Sequence, residues 1–332
     1  MDRKLYIHIG PHKTGTTTIQ FNLNANQQLL TSKGILVPKA GRLQLKNPAS
    51  HHLAWEIRQD RRFNKAKGTW SDLLAELNDQ PDIKKVIVSS EEFEFLKLDQ
   101  IEELHRITRQ FDVYIVMYLR RQDQALQSIW TELIKSPYKP KHFNSFYDWL
   151  IQVNYYTPII DYPQRIEDWG NIFGVKNLLI GNLNYQLYKN SLFDDFLNLC
   201  GIQLNNLQYV PNRNVSPGVK TIEAIRLFKQ SFAIEELPTD KWKQIVHKII
   251  DYGDIQEWNE KRINYLYPEL SEKIMNMYFE TNQDISRNIF NRDKLFDDIS
   301  NSNWKINTFT FEDFSKKELL GLFYFIIKNC CL

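Results

Sequence analysis

From Leu5 to Gln20 the chain reads Leu5-Tyr6-Ile7-His8-Ile9-Gly10-Pro11-His12-Lys13-Thr14-Gly15-Thr16-Thr17-Thr18-Ile19-Gln20, and this stretch constrains the fold more than any other. A β-rich apolar run stops at Gly10, a loop with one lysine follows, and the hydroxyl-rich Thr16-Thr17-Thr18 opens an amphipathic helix. Strand, glycine loop and helix in that order aim successive backbone N–H groups and the positive end of a helix at one anion. Gly10 and Gly15 let the backbone turn tightly enough for this, and Lys13 adds a mobile point charge.

In the nucleotide-triphosphatase loop, G-x-x-x-x-G-K-[ST], the lysine follows the second glycine and the hydroxyl binds magnesium. Here the order is Gly10-x-x-Lys13-Thr14-Gly15-Thr16-Thr17. A lysine moved forward sits beside the outermost group of the ligand, where charge builds as a bond to that group breaks. Thr14 to Thr18 are then left to hold an inner phosphate.

The 332 residues suffice for one large α/β domain or two small ones. With 42 basic and 40 acidic side chains the net charge is only +2, which excludes a whole-surface nucleic-acid field and makes any basic site local. Cys200, Cys330 and Cys331 offer neither a metal-ligand spacing nor a disulfide framework. The opening Met1-Asp2-Arg3-Lys4 and the short apolar run behind it predict no signal peptide and no membrane span, hence a cytoplasmic setting.

Along the chain, Ile19, Leu23 and Leu30 mark a helix ending before Gly34, and Ile35 to Pro38 a short strand. Ser50 is placed to cap a helix from His51 to Asp60, whose paired His51 and His52 either face an active cleft or are plain exposed polar residues. Residues 60–70 are basic and poorly patterned, a solvated loop or a lid over an anion. Lys85 to Phe93 reads as a buried strand running out into Ser89-Ser90-Glu91-Glu92. Ligands of open parallel sheets bind beyond the carboxyl ends of strands, so Glu91 and Glu92 stand where a general base is needed. A helix-capping or salt-bridging pair is the structural alternative. Val113 to Leu119 is the clearest buried strand. Arg120 and Arg121 follow it, and Ser128 lies two helical turns further on; an arginine and a hydroxyl so arranged can hold a doubly charged phosphate from two sides.

The Lys13-Thr14-Gly15-Thr16-Thr17 run resembles the 5′-phosphosulfate loop of sulfotransferases that use 3′-phosphoadenosine-5′-phosphosulfate (PAPS). Leu119-Arg120-Arg121 followed by Ser128 is similar to the 3′-phosphate motif of the same family, in the same order along the chain. Trp169, Phe173-Gly174, the strand at 177–181 and Asp195-Phe196-Leu197 with Gly201 resemble its bacterial branch, and the likeness covers roughly residues 3–225. It implies a three-layer P-loop NTPase-like α/β fold, a central parallel sheet flanked by helices, with a PAPS-binding core over 1–225 and a mostly helical C-terminal region over 226–332.

The resemblance also assigns roles. His12, Lys13, Thr14, Gly15, Thr16, Thr17 and Thr18 belong to the 5′ end of the nucleotide, Arg120 and Ser128 to the 3′-phosphate, and Arg213 to a further phosphate contact. Lys13 supplies charge to the leaving oxygen; Glu91, Glu92, His51 or His52 takes the acceptor proton. The chemistry demands no metal. The acceptor is a small molecule, a natural product among the candidates, and neither nucleic acid nor membrane is a partner; the apolar Lys316–Cys330 helix packs on the body or makes a homodimer contact. Two departures matter: Thr18 stands where many cytosolic members stack a tryptophan on adenine, and Ser89-Ser90-Glu91-Glu92 replaces their strand-end lysine and histidine. A small-molecule kinase on the same loop and a non-catalytic nucleotide-binding scaffold are the rivals.

Overall fold

Strand β1 (Arg3–His8) is the centre of a sheet whose order, β2-β3-β1-β4-β5, places the strand entering the glycine loop between two later ones. Its neighbours are β3 (Lys85–Ser89) and β4 (Phe111–Leu119), both parallel to it; β2 (Ile35–Leu36) and β5 (Leu178–Asn182) form the edges. Leu5 and Ile7, with Val86, Val88, Val113 and Ile115 beside them, line one face of the sheet, and Tyr6, with Ile87 and Tyr114 beside it, lines the other, so the central strands are apolar on both faces, as a sheet covered on both sides requires. The computed structural model describes residues 3–44, 48–78, 80–137, 145–183, 191–210, 217–231, 237–258, 265–297 and 314–330.

The chain divides into two compact units that interleave in sequence. The first comprises 1–121, 158–214 and 281–297; the second, 122–157, 215–280 and 298–332. In the first, α1 (Thr16–Ala25), α2 (Gln27–Ser32) and α9 (Leu192–Leu199) cover one face of the sheet. Ile19, Leu23, Leu30, Phe193, Phe196 and Leu197 close there on Tyr6, Ile87, Val116 and Tyr118. The other face carries α3 (His51–Arg58), α5 (Leu98–Ile107) and α8 (Tyr162–Phe173), with α4 (Trp70–Asn78) leading into β3. This is the three-layer α/β architecture, a central parallel sheet flanked by helices, that the family resemblance implies.

The helix expected to run from Thr16 to Gly34 is broken at Asn26. The Asn26 side chain donates to its own helix at Asn22 O and across to Gln208 O, both at 2.8 Å, and this tether on segment 204–210 separates α1 from α2.

Among the described residues the second unit is helical: α6 (Gln122–Lys135), α7 (Phe146–Gln152), α10 (Val219–Ser231), α11 (Thr239–Ile255), α12 (Pro268–Met277) and α14 (Lys316–Cys330). A further helix, α13 (Phe279–Ile285), carries the chain back to the first unit. Lys229, buried in α10, closes the end of α6 by donating to the carbonyls of Leu133, Ile134 and Ser136, which places a cation at the negative end of a helix. The final helix α14 lies on α11, burying Leu322 and Ile326 and leaving Leu320, Tyr324 and Ile327 exposed. No described helix is long and apolar enough to cross a membrane.

One buried group in β1 makes a stability prediction. His8 is fully buried, with Nδ1 hydrogen-bonded to Ser89 Oγ at 2.8 Å and Nε2 without a partner among the described residues. Burial pushes its pKa from an ordinary 6.5 down to about 3, so the folded protein keeps it neutral while the unfolded chain protonates. Between those two values the unfolded state binds the extra proton, and stability falls as pH is lowered through that window. Urea unfolding should therefore show roughly 2 kcal/mol lost from this group between pH 7.5 and pH 5, a loss that His8→Asn removes. Parallel pH profiles for wild type and variant would contradict this.

Candidate active site

The carboxyl ends of β1, β3 and β4 meet at the point where the chain's strand order changes direction, the position at which open α/β sheets bind ligands. From β1 comes the loop. Gly10 (φ 94°) and Gly15 (φ 86°) both use left-handed backbone, and a side chain at Gly15 would also lie 2.3 Å from Leu192 Cδ2. Lys13 between them is left-handed as well (φ 68°), an unusual state for a non-glycine residue, and its carbonyl is fixed by Arg120 Nη1 at 2.9 Å. The strand-end arginine and the loop lysine thus belong to one constellation.

The helix that follows is left open at its start. Ser145, Asp161 and Ser191 each cap α7, α8 and α9 with a side-chain acceptor, whereas α1 begins at Gly15 with no side-chain cap and no acidic residue in its first turn. The positive end of its dipole would favour an anion there. Thr14 Oγ1 is spent on Pro11 O at 2.6 Å, but Thr16 Oγ1 is buried with no partner among the described residues. A buried hydroxyl without a partner is costly, and a phosphate oxygen at the helix start would satisfy it. Thr17 and Thr18 continue the first turn, half-buried.

From β3 comes a short 3₁₀ turn, Glu91–Phe95, capped by Ser90, where the sequence had read continued strand. The turn separates the two glutamates. Glu91 lies against the loop, 3.3 Å from where a Gly10 side chain would begin, and accepts from Gln20 Nε2 at 3.0 Å; its other oxygen is 4.0 Å from His51 Nε2. Glu92 turns the other way and is saturated by arginine: Arg58 at 2.6 Å and Arg62 at 2.9 and 3.0 Å. Burial raises the Glu92 carboxyl, but the Trp55 side chain and the Arg62 guanidinium together outweigh it and hold the group below its usual range. Glu92 is the salt-bridging member of the pair and Glu91 the one beside the loop. The same bonds tie down the basic 60–70 segment, with Arg62 stacked over Trp55 at 4.5 Å.

The paired histidines are both buried, not exposed. His51 Nδ1 is bonded to Ser90 Oγ at 2.7 Å, and burial lowers its pKa against the pull of Glu91, leaving a neutral imidazole with Nε2 toward that carboxylate. His52 accepts from the Asn64 backbone N–H at 3.1 Å and sits edge-on to Trp55, which makes it a support for the loop after α3.

At the end of β4, Arg120 is gripped through its backbone by Tyr162 of α8: its N–H donates to the Tyr162 hydroxyl at 3.2 Å, and that hydroxyl donates to its carbonyl at 2.5 Å. Arg121 instead donates to Asp297 O at 2.8 Å. Arg120 belongs to the first unit, and Ser128, half-buried on α6, to the second. Arg213 lies outside the described residues.

No family model matches the chain. A protein of Archaeoglobus fulgidus described as uncharacterized is 26% identical over 208 residues, 59% of this chain and 54% of that protein, so the chain spans about half the length of the curated relative it matches. A crystal structure of a sulfotransferase from Alicyclobacillus acidocaldarius aligns with 73% of this chain and all of its own, at 15% identity and a TM-score of 0.41.

Four residues of this site carry no motif in the sequence. Gln20 follows the threonine run on α1, where a polar residue at i+4 from buried Thr16 was a usable signal. Ser90 holds His51, Tyr162 holds Arg120, and Glu94 accepts from His12, both through its backbone N–H at 3.1 Å and through Nδ1. Glu94 was within reach, being the third glutamate of the run that supplies the other two; Tyr162 reads as one more core aromatic.

Proposed function

We propose that the chain transfers a sulfuryl group from PAPS to a hydroxyl or amine of a small-molecule acceptor and releases adenosine 3′,5′-bisphosphate. The observation that carries this is the start of α1, where the buried Thr16 hydroxyl has no partner among the described residues and where Arg120 is bonded to the Lys13 carbonyl of the loop. Those residues fit the donor: the loop N–H groups and Thr16 for the 5′-phosphate, Lys13 for the bridging oxygen, Arg120 for the 3′-phosphate.

In the reaction the acceptor oxygen or nitrogen bonds to sulfur as the bond from sulfur to the 5′-phosphate oxygen breaks, with attacking and leaving atoms in line. Lys13 stabilises the charge that gathers on the departing oxygen. Glu91 takes the proton from the acceptor, held by Gln20 and backed by the neutral His51 at 4.0 Å. Glu92 keeps Arg58 and Arg62 in place, with both of its oxygens engaged by them.

Thermal unfolding with added nucleotide tests the donor. Adenosine 3′,5′-bisphosphate at about a hundred times its Kd should raise Tm by several degrees, the counterpart of about 2.7 kcal/mol, and ATP at equal concentration should not. Stabilisation by ATP alone would favour the kinase, and stabilisation by neither would remove a nucleotide from the account.

A further inference from the structure

Glu94 stands behind the loop with its carboxylate entirely shielded from solvent. A carboxylate so placed must be paired, and it has two cationic neighbours. Arg165 of α8 stands off at 3.7 Å and spends its own N–H groups on Ile159 O and Pro158 O at 3.0 and 3.2 Å. His12 makes the direct contact twice, through its backbone N–H and through Nδ1. An ionised carboxylate only accepts, so Nδ1 carries a proton. The His12 ring is 31% exposed while Glu94 is not, which leaves the opposite edge of the ring, with Nε2, as its open side; Phe95 flanks the ring at 5.0 Å.

We infer that Glu94 holds His12 as an imidazolium, whose Nε2–H is a second cationic donor of the loop next to Lys13, directed at the sulfuryl oxygens of the donor. The assignment rests on the loop being the donor's anion site. Glu94 and Arg165 are positioning residues that act through His12. Tyr162 and Arg165 lie one turn apart on α8, so a single helix braces Arg120 and this pair together.

The charges around the ring agree. Burial lowers the affinity of His12 for its second proton, but the hydrogen bond and charge of Glu94 outweigh it, helped by Glu91 and Glu92 on the same turn. Arg165 from α8 and Lys13 of its own loop are the cations that oppose them, His51 from α3 being neutral. The net result is a histidine that stays charged above the pH at which an ordinary one loses its proton.

An NMR titration of the His12 ring in the full chain tests this, with inorganic sulfate, a dianion throughout about pH 5 to 9, as the probe. In wild type the His12 midpoint should lie above that of a free histidine. Glu94→Gln should lower it by about one pH unit or more, and Arg165→Met, which removes a competing cation, should move it upward. Sulfate affinity should weaken several-fold as pH rises through the His12 midpoint, and His12→Gln should flatten that profile. A wild-type midpoint at or below the free value, or a sulfate profile unchanged in His12→Gln, overturns the inference. Should Glu94→Gln fail to fold, the opposite shift in Arg165→Met and the flat profile of His12→Gln carry the test. If sulfate binding tracks His12 while adenosine 3′,5′-bisphosphate leaves Tm unmoved, the sulfotransferase assignment fails and the charged loop stands.

Discussion

Lys13→Ala is expected to lower kcat by a hundred- to a thousandfold while leaving Tm within a degree or two of wild type. The magnitude is that of one preorganised charge removed from a developing oxyanion. The fold should survive because Lys13 contributes its backbone to the architecture: the left-handed φ of 68° and the carbonyl bound by Arg120 are kept by alanine at a cost near that already met by lysine. Steady-state kinetics with PAPS and an active acceptor, beside a melting curve, separate the two effects. Activity within threefold of wild type would take Lys13 out of the chemistry, and a collapsed melting curve would make it a structural residue.

The second large effect distinguishes two neighbouring glutamates. Glu91→Gln should reduce turnover by a hundredfold or more, with donor binding unchanged, because an amide keeps the size and the hydrogen bond to Gln20 but accepts no proton. Glu92→Gln should do the reverse. It leaves Arg58 and Arg62 facing a neutral amide in a largely shielded place, so stability drops by on the order of 1–3 kcal/mol while kcat changes little once the protein is folded. A variant pair in which Glu92→Gln loses turnover and Glu91→Gln does not would invert the assignment, and urea unfolding together with kcat on both proteins decides it.

The sheet was legible because its central strands are apolar on both faces and the glycine loop marks where the first of them ends. The same local signals put Arg120 and the glutamate pair just after strands, and Lys13 and the threonines in the loop and helix start that follow β1. What the sequence could not separate were residues whose roles depend on contacts far along the chain. Glu91 and Glu92 are adjacent and chemically alike, and only the 3₁₀ turn, together with Arg58 and Arg62, gives one to the loop and the other to a salt bridge. His51 and His52 are likewise adjacent, yet Ser90 claims one and the backbone of Asn64 the other. The support given by Tyr162 and Arg165 comes from a helix more than a hundred residues after the loop, and a lone tyrosine or arginine in an amphipathic helix announces nothing about such a contact.

Calorimetric titration of adenosine 3′,5′-bisphosphate and of adenosine 5′-phosphate into wild type and Arg120→Ala bears most directly on whether the loop and the end of β4 hold one nucleotide. Wild type should prefer the bisphosphate by ten- to a hundredfold, the worth of a charge-assisted arginine–phosphate contact, and Arg120→Ala should bind the two ligands alike. Equal binding of both ligands by wild type, or a preference undiminished in Arg120→Ala, would contradict the account.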